Sequence, residues 1–329
     1  MAYTTIDKPE DYFNTKLYSG SGSASNITGV GFQPDWVWIK CRTNAVSHSL
    51  NDSVRGANKQ LESNDTGAET SFTNALTTFG SDGFTVDTSG ETGQSGRTYV
   101  SWNWKKTATA GFDIVSYTGN GSNRTISHSL SAVPKMMIVK NRDASEEWTV
   151  YHAGNTSAPA TDYLALNTNG ATTDSNNRWN DTLPTSSVFT VGTSGVVNAN
   201  GQKFIAYLFS EKKGYSKFGS YTGNGNADGT FVYTGFKPAW VMWKRTDATN
   251  DWYIYDNKRN SFNTMGRRLE ANQNDDEVNS GSAIVDFVSN GYKFRGTDSS
   301  WNVSGGTFIY MAFAEESFVS STGVPATAK

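Results

Sequence analysis

The sequence has almost no cysteine, little net charge and no long apolar run, and each shortage excludes a class of protein. The single cysteine, Cys41, rules out disulfides within the chain, and its position in an apolar run predicts a small buried residue. The net charge is -3 and the basic residues form no runs, so a nucleic-acid-binding face is not expected. Residues 1–11 lack the apolar core of a signal peptide, and no apolar run is long enough to span a bilayer. We therefore expect a protein that is made in a cytoplasm and does not insert into membranes.

Aromatic and small polar residues are abundant instead. Aromatic residues make up 13% of the chain and 32 residues are glycine, a combination that favours strands and turns over helix interiors. Asn-Gly or Asp-Gly pairs at 82–83, 120–121, 224–225 and 290–291 are typical of tight hairpins. The composition predicts an all-β protein, in which 53–61 is the one stretch that offers a short helical turn.

One apolar stretch recurs along the chain. GFQPDWVWIKCR at 31–42 returns as GFKPAWVMWKR at 235–245, and in a weaker form as AVPKMMIVKNR at 132–142. The common plan is a proline, an apolar run and a cationic end, repeated at a period of about 100 residues. Because apolar side chains lie on both faces of the run, it predicts a central strand that is covered on both sides.

The repeat divides the chain into an N-terminal arm, three modules and a tail. We predict the arm at 1–16, modules at 17–108, 109–213 and 214–317, and the tail at 318–329. About seven short strands within about 100 residues are typical of an antiparallel β-sandwich, so three tandem jelly-roll-like sandwiches are expected. The arm is expected to anchor the protein to its docking partner.

Five segments carry a resemblance to a known family. They are ITGVGFQPDW at 27–36, SHSLNDSVRG at 47–56, VKNRD at 139–143, WNDTLPTSSVFTVG at 179–192 and GSYTGNG at 219–225. These segments extend over nearly the whole chain and resemble a family of virion proteins from tailed bacteriophages of the marine type, often described as tail-fibre-like. The resemblance implies a structural or fibre-like virion component, and it carries no catalytic motif.

The cationic ends of the repeated strand are the first candidate binding residues. Lysine and arginine beside aromatic residues are suited to carboxylated or sulfated glycans. The alternative, which we favour, is that they cap a sheet edge or lie over apolar surface. The candidates are Lys40, Arg42, Lys140, Arg142, Lys244 and Arg245.

Two tryptophans, Trp179 and Trp301, lie in polar segments outside the strand patterns. If exposed, each would offer a stacking platform for sugar rings or an anchor between subunits. The alternative is that each covers the end of a sandwich core. Four other tryptophans fall inside strand patterns and are assigned to the core: Trp36, Trp148, Trp240 and Trp252.

No arrangement of residues predicts a metal site, a cofactor site or a catalytic centre. His48, His128 and His152 lack ligand spacing, and His48 aligns with a tryptophan in both other modules, which favours a packing role. The acidic run at 274–277 lacks the spacing of a calcium loop and is expected to be a solvated turn. No pair of carboxylates recurs across the modules, as glycoside cleavage in each would require.

These observations predict a non-enzymatic structural protein of the virion, a head or tail appendage that decorates the particle. Repeated β modules offer side-by-side packing surfaces, so a homo-oligomer, and specifically a trimer, is expected. The expected partners are other virion proteins and host-surface glycan, without nucleic acid. Two alternatives stay open: a receptor-binding tip that recognises carbohydrate, and a polysaccharide depolymerase with one active module.

Overall fold

The computed structural model describes residues 3–279 and 284–325, and it confirms the all-β prediction. In this part of the chain the helical segments are Asn176–Trp179 (α1), Gly195–Asn198 (α2) and a 3-10 turn at Pro9–Asp11. The helical turn predicted at 53–61 is not formed. The Asp52 carboxylate accepts hydrogen bonds from the backbone amides of Val54 and Arg55 instead, which closes a local turn that competes with helix.

Three repeats of strands follow one another along the chain. Repeat 1 comprises Phe13–Ser19 (β1), Ser25–Thr28 (β2), Trp36–Cys41 (β3), Ser49–Asp52 (β4), Lys59–Gln60 (β5), Thr70–Ser71 (β6), Leu76–Gly80 (β7), Gly83–Val86 (β8) and Thr98–Trp104 (β9). Repeat 2 comprises Phe112–Thr118 (β10), Arg124–Ser127 (β11), Met136–Asn141 (β12), Thr149–His152 (β13), Asp162–Ala165 (β14), Thr173–Asp174 (β15), Val188–Val191 (β16) and Lys203–Phe209 (β17). Repeat 3 comprises Ser216–Thr222 (β18), Asp228–Tyr233 (β19), Phe236–Arg245 (β20), Trp252–Asp256 (β21), Arg267–Glu270 (β22), Val278–Asn279 (β23), Val285–Val288 (β24), Gly291–Arg295 (β25) and Thr307–Ser317 (β26).

Each repeat builds one large antiparallel sheet in which the first four strands have the same order. The orders are β1-β9-β3-β4, β10-β17-β12-β13-β14-β15 and β18-β26-β20-β21-β22-β23. The register is also matched, and the equivalent pairs are Trp36–Trp104, Met136–Phe209 and Trp240–Phe313. A smaller sheet accompanies each large one: β2-β8-β7, β11-β16 and β19-β25-β24.

The repeated apolar strand lies inside its sheet and is covered on both faces, as predicted. All six residues of β3 are buried, and the strand pairs with β4 on one side and β9 on the other. Val37 and Ile39 belong to the core of repeat 1, together with residues of its smaller sheet. Trp36 and Trp38 alternate with them and therefore point to the opposite face, where they join a different cluster.

That second cluster is shared by all three repeats. Ring centroids lie 4.5 Å apart for Trp36 and Tyr207, 6.1 Å for Phe209 and Phe313, and 5.0 Å for Phe13 and Phe313. Each repeat also keeps a cluster of its own between its two sheets. The inner faces of the three large sheets therefore meet in one central core, and the smaller sheets cover the outer faces.

The predicted N-terminal arm is not a separate unit, because its residues take part in the fold. Strand β1 begins at Phe13, inside the range 1–16 that was assigned to the arm. Ile6 is 2% exposed and belongs to the central core. Thr4 Oγ1 donates to the Lys213 carbonyl at 2.9 Å, and the Tyr3 hydroxyl donates to the Gly235 carbonyl at 2.8 Å. The segment thus lies on repeat 3; residues 1–2 and the last four residues of the predicted tail, 326–329, fall outside the described residues.

Candidate functional site

The three aligned lysines are buried and link neighbouring repeats. Their exposed fraction is 0% in each case. Each amine donates a hydrogen bond to a backbone carbonyl of a neighbouring repeat. The contacts are Lys40 Nζ to Asn274 O at 3.1 Å, Lys140 Nζ to Thr66 O at 2.9 Å and Lys244 Nζ to Asn169 O at 3.3 Å. Repeat 1 thus contacts repeat 3, repeat 2 contacts repeat 1, and repeat 3 contacts repeat 2, which closes a ring.

Burial of the three lysines argues against the ligand-facing interpretation and agrees with the favoured structural role, although the lysines lie inside the protein and not at a sheet edge. Desolvation lowers the pKa of Lys40, Lys140 and Lys244 to about 8, so each amine is still charged at neutral pH. The charge is stabilised by backbone carbonyls, including the carbonyl of the residue that follows each lysine. An amine whose donors are directed at carbonyls inside the protein has no face for a glycan.

Two further rows of contacts repeat around the same ring. In the first row a side-chain nitrogen meets a carbonyl of the neighbouring repeat. The members are His48 Nε2 and Glu270 O at 3.0 Å, Trp148 Nε1 and Glu62 O at 2.9 Å, and Trp252 Nε1 and Ala165 O at 2.9 Å. The second row joins backbones. The members are Glu277 N and Arg42 O at 3.0 Å, Glu69 N and Arg142 O at 2.8 Å, and Thr172 N and Thr246 O at 2.9 Å.

His48 is part of this framework and not of a proton-transfer site. Its Nδ1 accepts a hydrogen bond from Trp38 Nε1 at 2.7 Å, which assigns the ring proton to Nε2, the nitrogen that meets the Glu270 carbonyl. Burial and the nearby Lys40 hold the pKa of His48 well below its ordinary value. The ring is therefore neutral and packs as the aligned tryptophans do.

Two of the three contacts between repeats carry the same triad of charges. Between repeats 1 and 2, Glu69 accepts two hydrogen bonds from Arg142, at 2.8 and 2.9 Å, and lies 3.3 Å from Arg55 Nη1. The equivalent triad between repeats 3 and 1 is Glu277, Arg42 and Arg259. Burial acts against the charge of Glu277, but the two arginines hold its pKa below the ordinary value. The acidic run 274–277, expected to be a solvated turn, is therefore part of a contact between repeats.

The third contact, between repeats 2 and 3, lacks this triad. At the equivalent positions stand Asn155, Thr172 and Thr246, which are shorter and uncharged. Thr172 Oγ1 donates to Asn155 Oδ1 at 2.7 Å, and Thr246 Oγ1 lies 2.8 Å from Thr307 Oγ1. Where the long side chains are missing, a cavity of about 590 Å³ opens between the repeats.

We call this cavity the interface cleft. Its lining includes Asn155, Thr172, Ser220, Thr222, Thr246 and Asp247. Asn155 is 7% exposed, and its Nδ2 has no hydrogen-bond partner in the part of the chain that the structure describes. Asp247 is paired with Arg245, whose Nε donates to Oδ1 at 2.7 Å and is the main cause of the lowered pKa of Asp247. The cleft thus combines hydroxyls, one unsatisfied amide and a neutralised carboxylate.

The predicted tryptophan platforms are not exposed. Trp179 is 0% exposed; its Nε1 donates to the Asp162 carbonyl at 3.1 Å and its ring packs edge-on against Tyr151. Trp301 is 6% exposed, and its ring lies edge-on to Tyr253. Both polar segments fold over the end of a core, which is the alternative that the sequence had left open. The four tryptophans assigned to strands, Trp36, Trp148, Trp240 and Trp252, are buried as predicted.

Of the predicted cations, only Arg245 lies beside the cleft, through its partner Asp247. Asn155, Thr172 and Thr246 did not stand out in the sequence. The signal that could have found them is the repeat itself, because Asn155 aligns with Arg55 and Arg259, and Thr246 aligns with Arg42 and Arg142. A loss of charge at aligned positions marks the one contact that differs.

The described residues contain no group of three or more His, Cys, Asp or Glu that could hold a metal ion. None of the helices in residues 3–279 and 284–325 has the length and apolar character needed to cross a membrane. No curated protein matches the chain. A family model described as a domain of unknown function, DUF7483, matches residues 8–317, so the chain belongs to the DUF7483 family.

Proposed function

We propose that the protein is a non-enzymatic structural component of a tailed-phage particle, a head or tail appendage. The observation that carries the proposal is the closed ring of three repeats, in which buried lysines and a shared core fix each repeat against the next and ion pairs strengthen two of the three contacts. Such a body is rigid and leaves its outer loops available for docking. The sequence resemblance to virion proteins supplies the kind of assembly.

The ring also bears on the expected trimer. Three equivalent large sheets around one core supply, within a single chain, the arrangement that a homotrimer would otherwise provide. Light scattering on the purified protein separates the two possibilities. A species of 35.8 kDa supports one chain per appendage, and a species of three times that mass supports a homotrimer.

Location on the particle tests the proposal directly. Particles of the phage that encodes the chain are purified by density gradient and labelled with antibody and gold. We expect the label at one defined place on the head or the tail, and the chain among the proteins of the purified particles. Preimmune serum is the control. Absence of the chain from infectious particles would contradict the proposal.

A receptor-binding tip that recognises carbohydrate is the second candidate function. The observation that favours it is the interface cleft, with its hydroxyl lining and the unsatisfied amide of Asn155. The cationic strand ends and the two buried tryptophans no longer support it.

A further inference from the structure

We infer that the interface cleft between repeats 2 and 3 is a binding site for a neutral saccharide. The inference concerns the cleft alone and holds whether or not the body joins a particle. The three contacts between repeats are equivalent in sequence and can be compared position by position. The same position is filled by an arginine–glutamate–arginine triad in the two other contacts and is open in this one.

The open position is not explained by loose packing of the two repeats. All three rows of contacts that hold the other pairs of repeats are also present here, through Lys244, Trp252 and Thr172. The framework is therefore kept while the side chains that would fill it are shortened. A cavity of about 590 Å³ lies within the range of about 300–1,000 Å³ that small-molecule sites occupy.

Asn155 is the residue that points to a ligand. Its side chain is more than nine-tenths buried, one end of the amide is held by Thr172, and the other end has no partner. An unsatisfied buried amide is unfavourable, and a turn of the Asn155 side chain towards the cleft would let an acceptor oxygen of a bound molecule satisfy it. The guanidinium groups of the aligned Arg55 and Arg259 are not left for a ligand in this way, because each pairs with an aspartate and a glutamate.

The lining favours a ligand with many hydroxyls. Ser220, Thr222 and Thr246 can each donate and accept hydrogen bonds, and Asp247 can accept them. The rings of the neighbouring Tyr221 and Phe308 are buried in the core of repeat 3, so the apolar surface beside these hydroxyls comes from the methyl groups of the threonines. A sugar ring presents hydroxyls around its rim and C–H groups on its face, so it matches a lining of threonine and serine hydroxyls and threonine methyl groups.

The charges near the cleft favour a neutral sugar over an anionic one. Arg245 is paired with Asp247, and the Lys244 amine is directed at the carbonyls of Asn169 and Arg245. No lining residue is a lysine or an arginine. An anion would therefore lose its hydration without gaining a cation, whereas a neutral saccharide does not meet this cost.

Saturation-transfer NMR on the full chain tests the inference. The probes are the methyl glycosides of glucose, galactose, mannose, N-acetylglucosamine, N-acetylgalactosamine, fucose and rhamnose, with N-acetylneuraminic acid as the anionic comparison. We expect at least one neutral glycoside to give a signal and N-acetylneuraminic acid to give none. No signal from any neutral probe, or a signal from the anionic sugar alone, would overturn the inference.

A matched pair of variants locates the site. Thr222 and Thr118 are the exposed last residues of the equivalent strands β18 and β10, and only Thr222 lines the cleft. Thr222→Arg is expected to raise the dissociation constant of the bound glycoside at least about tenfold, because a long side chain fills the cleft. Thr118→Arg is expected to leave it unchanged. Equal binding by the two variants would overturn the assignment.

A second variant guards against misfolding. Thr172→Glu combined with Thr246→Arg copies the pair that Glu69 and Arg142 form in the contact between repeats 1 and 2. Because that pair already fits the framework, we expect the variant to keep the thermal midpoint of the parent and to lose the saccharide signal. A variant that is equally stable and still binds the glycoside would overturn the inference.

Discussion

The aligned lysines show how a charged group is accommodated away from water. Lys40 Nζ donates to the carbonyls of Cys41, Val46 and Asn274, at 3.2, 2.8 and 3.1 Å. Three carbonyl oxygens match the three donors of an ammonium group, so the charge is solvated by protein dipoles. Two of these carbonyls belong to repeat 1 and one to repeat 3. The residue therefore ties the end of its own strand to the neighbouring repeat.

Replacing one such lysine is expected to destabilise the whole chain. Lys140→Met removes the donor of the buried Asn141 carbonyl and of the partly buried Thr66 carbonyl, and we expect a loss of about 1–3 kcal/mol in the free energy of unfolding. Urea denaturation measures the loss. Lys203→Met is the control, because Lys203 is exposed at the start of β17. Equal losses in the two variants would contradict a role for the buried amine.

His152 predicts a pH dependence of stability. Burial, with a contribution from Lys135, lowers its pKa from 6.5 to about 4, and its Nε2 lies 3.1 Å from the Tyr310 carbonyl. Below pH 6.5 the unfolded chain therefore takes up a proton that the folded chain does not, so stability falls as the pH falls. From pH 7 to pH 5 we expect this residue to contribute a loss of about 2 kcal/mol.

The variant His152→Gln checks that contribution. Glutamine keeps a donor for the Tyr310 carbonyl but does not titrate, so the loss between pH 7 and pH 5 should shrink by about 2 kcal/mol. The lowered pKa of His48 gives a pH dependence of the same sign, and His48 is present in both the parent protein and the variant. Unfolding free energies from urea curves at the two pH values provide the measurement. An unchanged pH dependence would show that His152 does not carry the effect.

At the scale of elements, the contacts between repeats differ in how their strands and loops are joined. Glu69 precedes β6 in repeat 1 and Arg142 follows β12 in repeat 2, yet the two side chains are bidentate partners. Both are largely buried, with side-chain exposures of 10% and 15%. Breaking one partner of such a pair is more costly than replacing both, since a single change leaves a charge without compensation.

A double-mutant cycle is expected to show this coupling. Glu69→Thr alone should lower the unfolding free energy by about 2–4 kcal/mol, because Arg142 and Arg55 lose a carboxylate. Glu69→Thr with Arg142→Thr copies the natural residues of the third contact. It should cost less than the two single changes together, by at least about 1 kcal/mol.

The exposed pair of Asp228 and Lys293, on the outer sheet of repeat 3, is the control cycle. Asp228→Asn and Lys293→Met should show a coupling of only about 0–1 kcal/mol. If the Glu69 cycle gave a coupling no larger than this control, the triad would not be a structural device of the ring.

The sequence was sufficient to predict the all-β class and the repeated apolar strand, but not the contacts between strands. The alternation of Val37 and Ile39 with Trp36 and Trp38 predicted a strand covered on both faces, because the period of side chains in a strand is local. Trp179 could not be assigned in this way, since its burial depends on the distant Tyr151 and Asp162. The interface cleft was also out of reach. The uncharged residues that line it are informative only when Glu69 and Arg142, which are distant in sequence, are known to form an ion pair at the equivalent place.

At the scale of the whole molecule, the central core makes the repeats interdependent. Ile138, Tyr207 and Phe209 of repeat 2 are 0 to 1% exposed and belong to the cluster shared with repeats 1 and 3. In an isolated repeat these side chains would face water. Tandem sandwiches normally fold alone, but this arrangement predicts one cooperative unit.

A chain of residues 109–213 made alone tests that dependence. We expect it to lack a stable tertiary structure, because its large sheet would expose one complete apolar face. A narrow range of amide proton shifts in a ¹H–¹⁵N spectrum would agree with this, and the full chain, with its broad range, is the control. A well-dispersed spectrum of the fragment would show that each repeat is a domain in its own right.

Because one continuous chain forms the whole ring, its three interfaces can differ, and this decides how many binding recesses the ring carries. A ring of three identical chains carries any recess three times or not at all, because each change in sequence appears at every interface. Here the three interfaces are encoded separately, so Asn155, Thr172 and Thr246 open one of them while the ion pairs keep the other two shut. Such a body presents the interface cleft once, and an assembly gains several copies of this cleft through the number of chains that it displays.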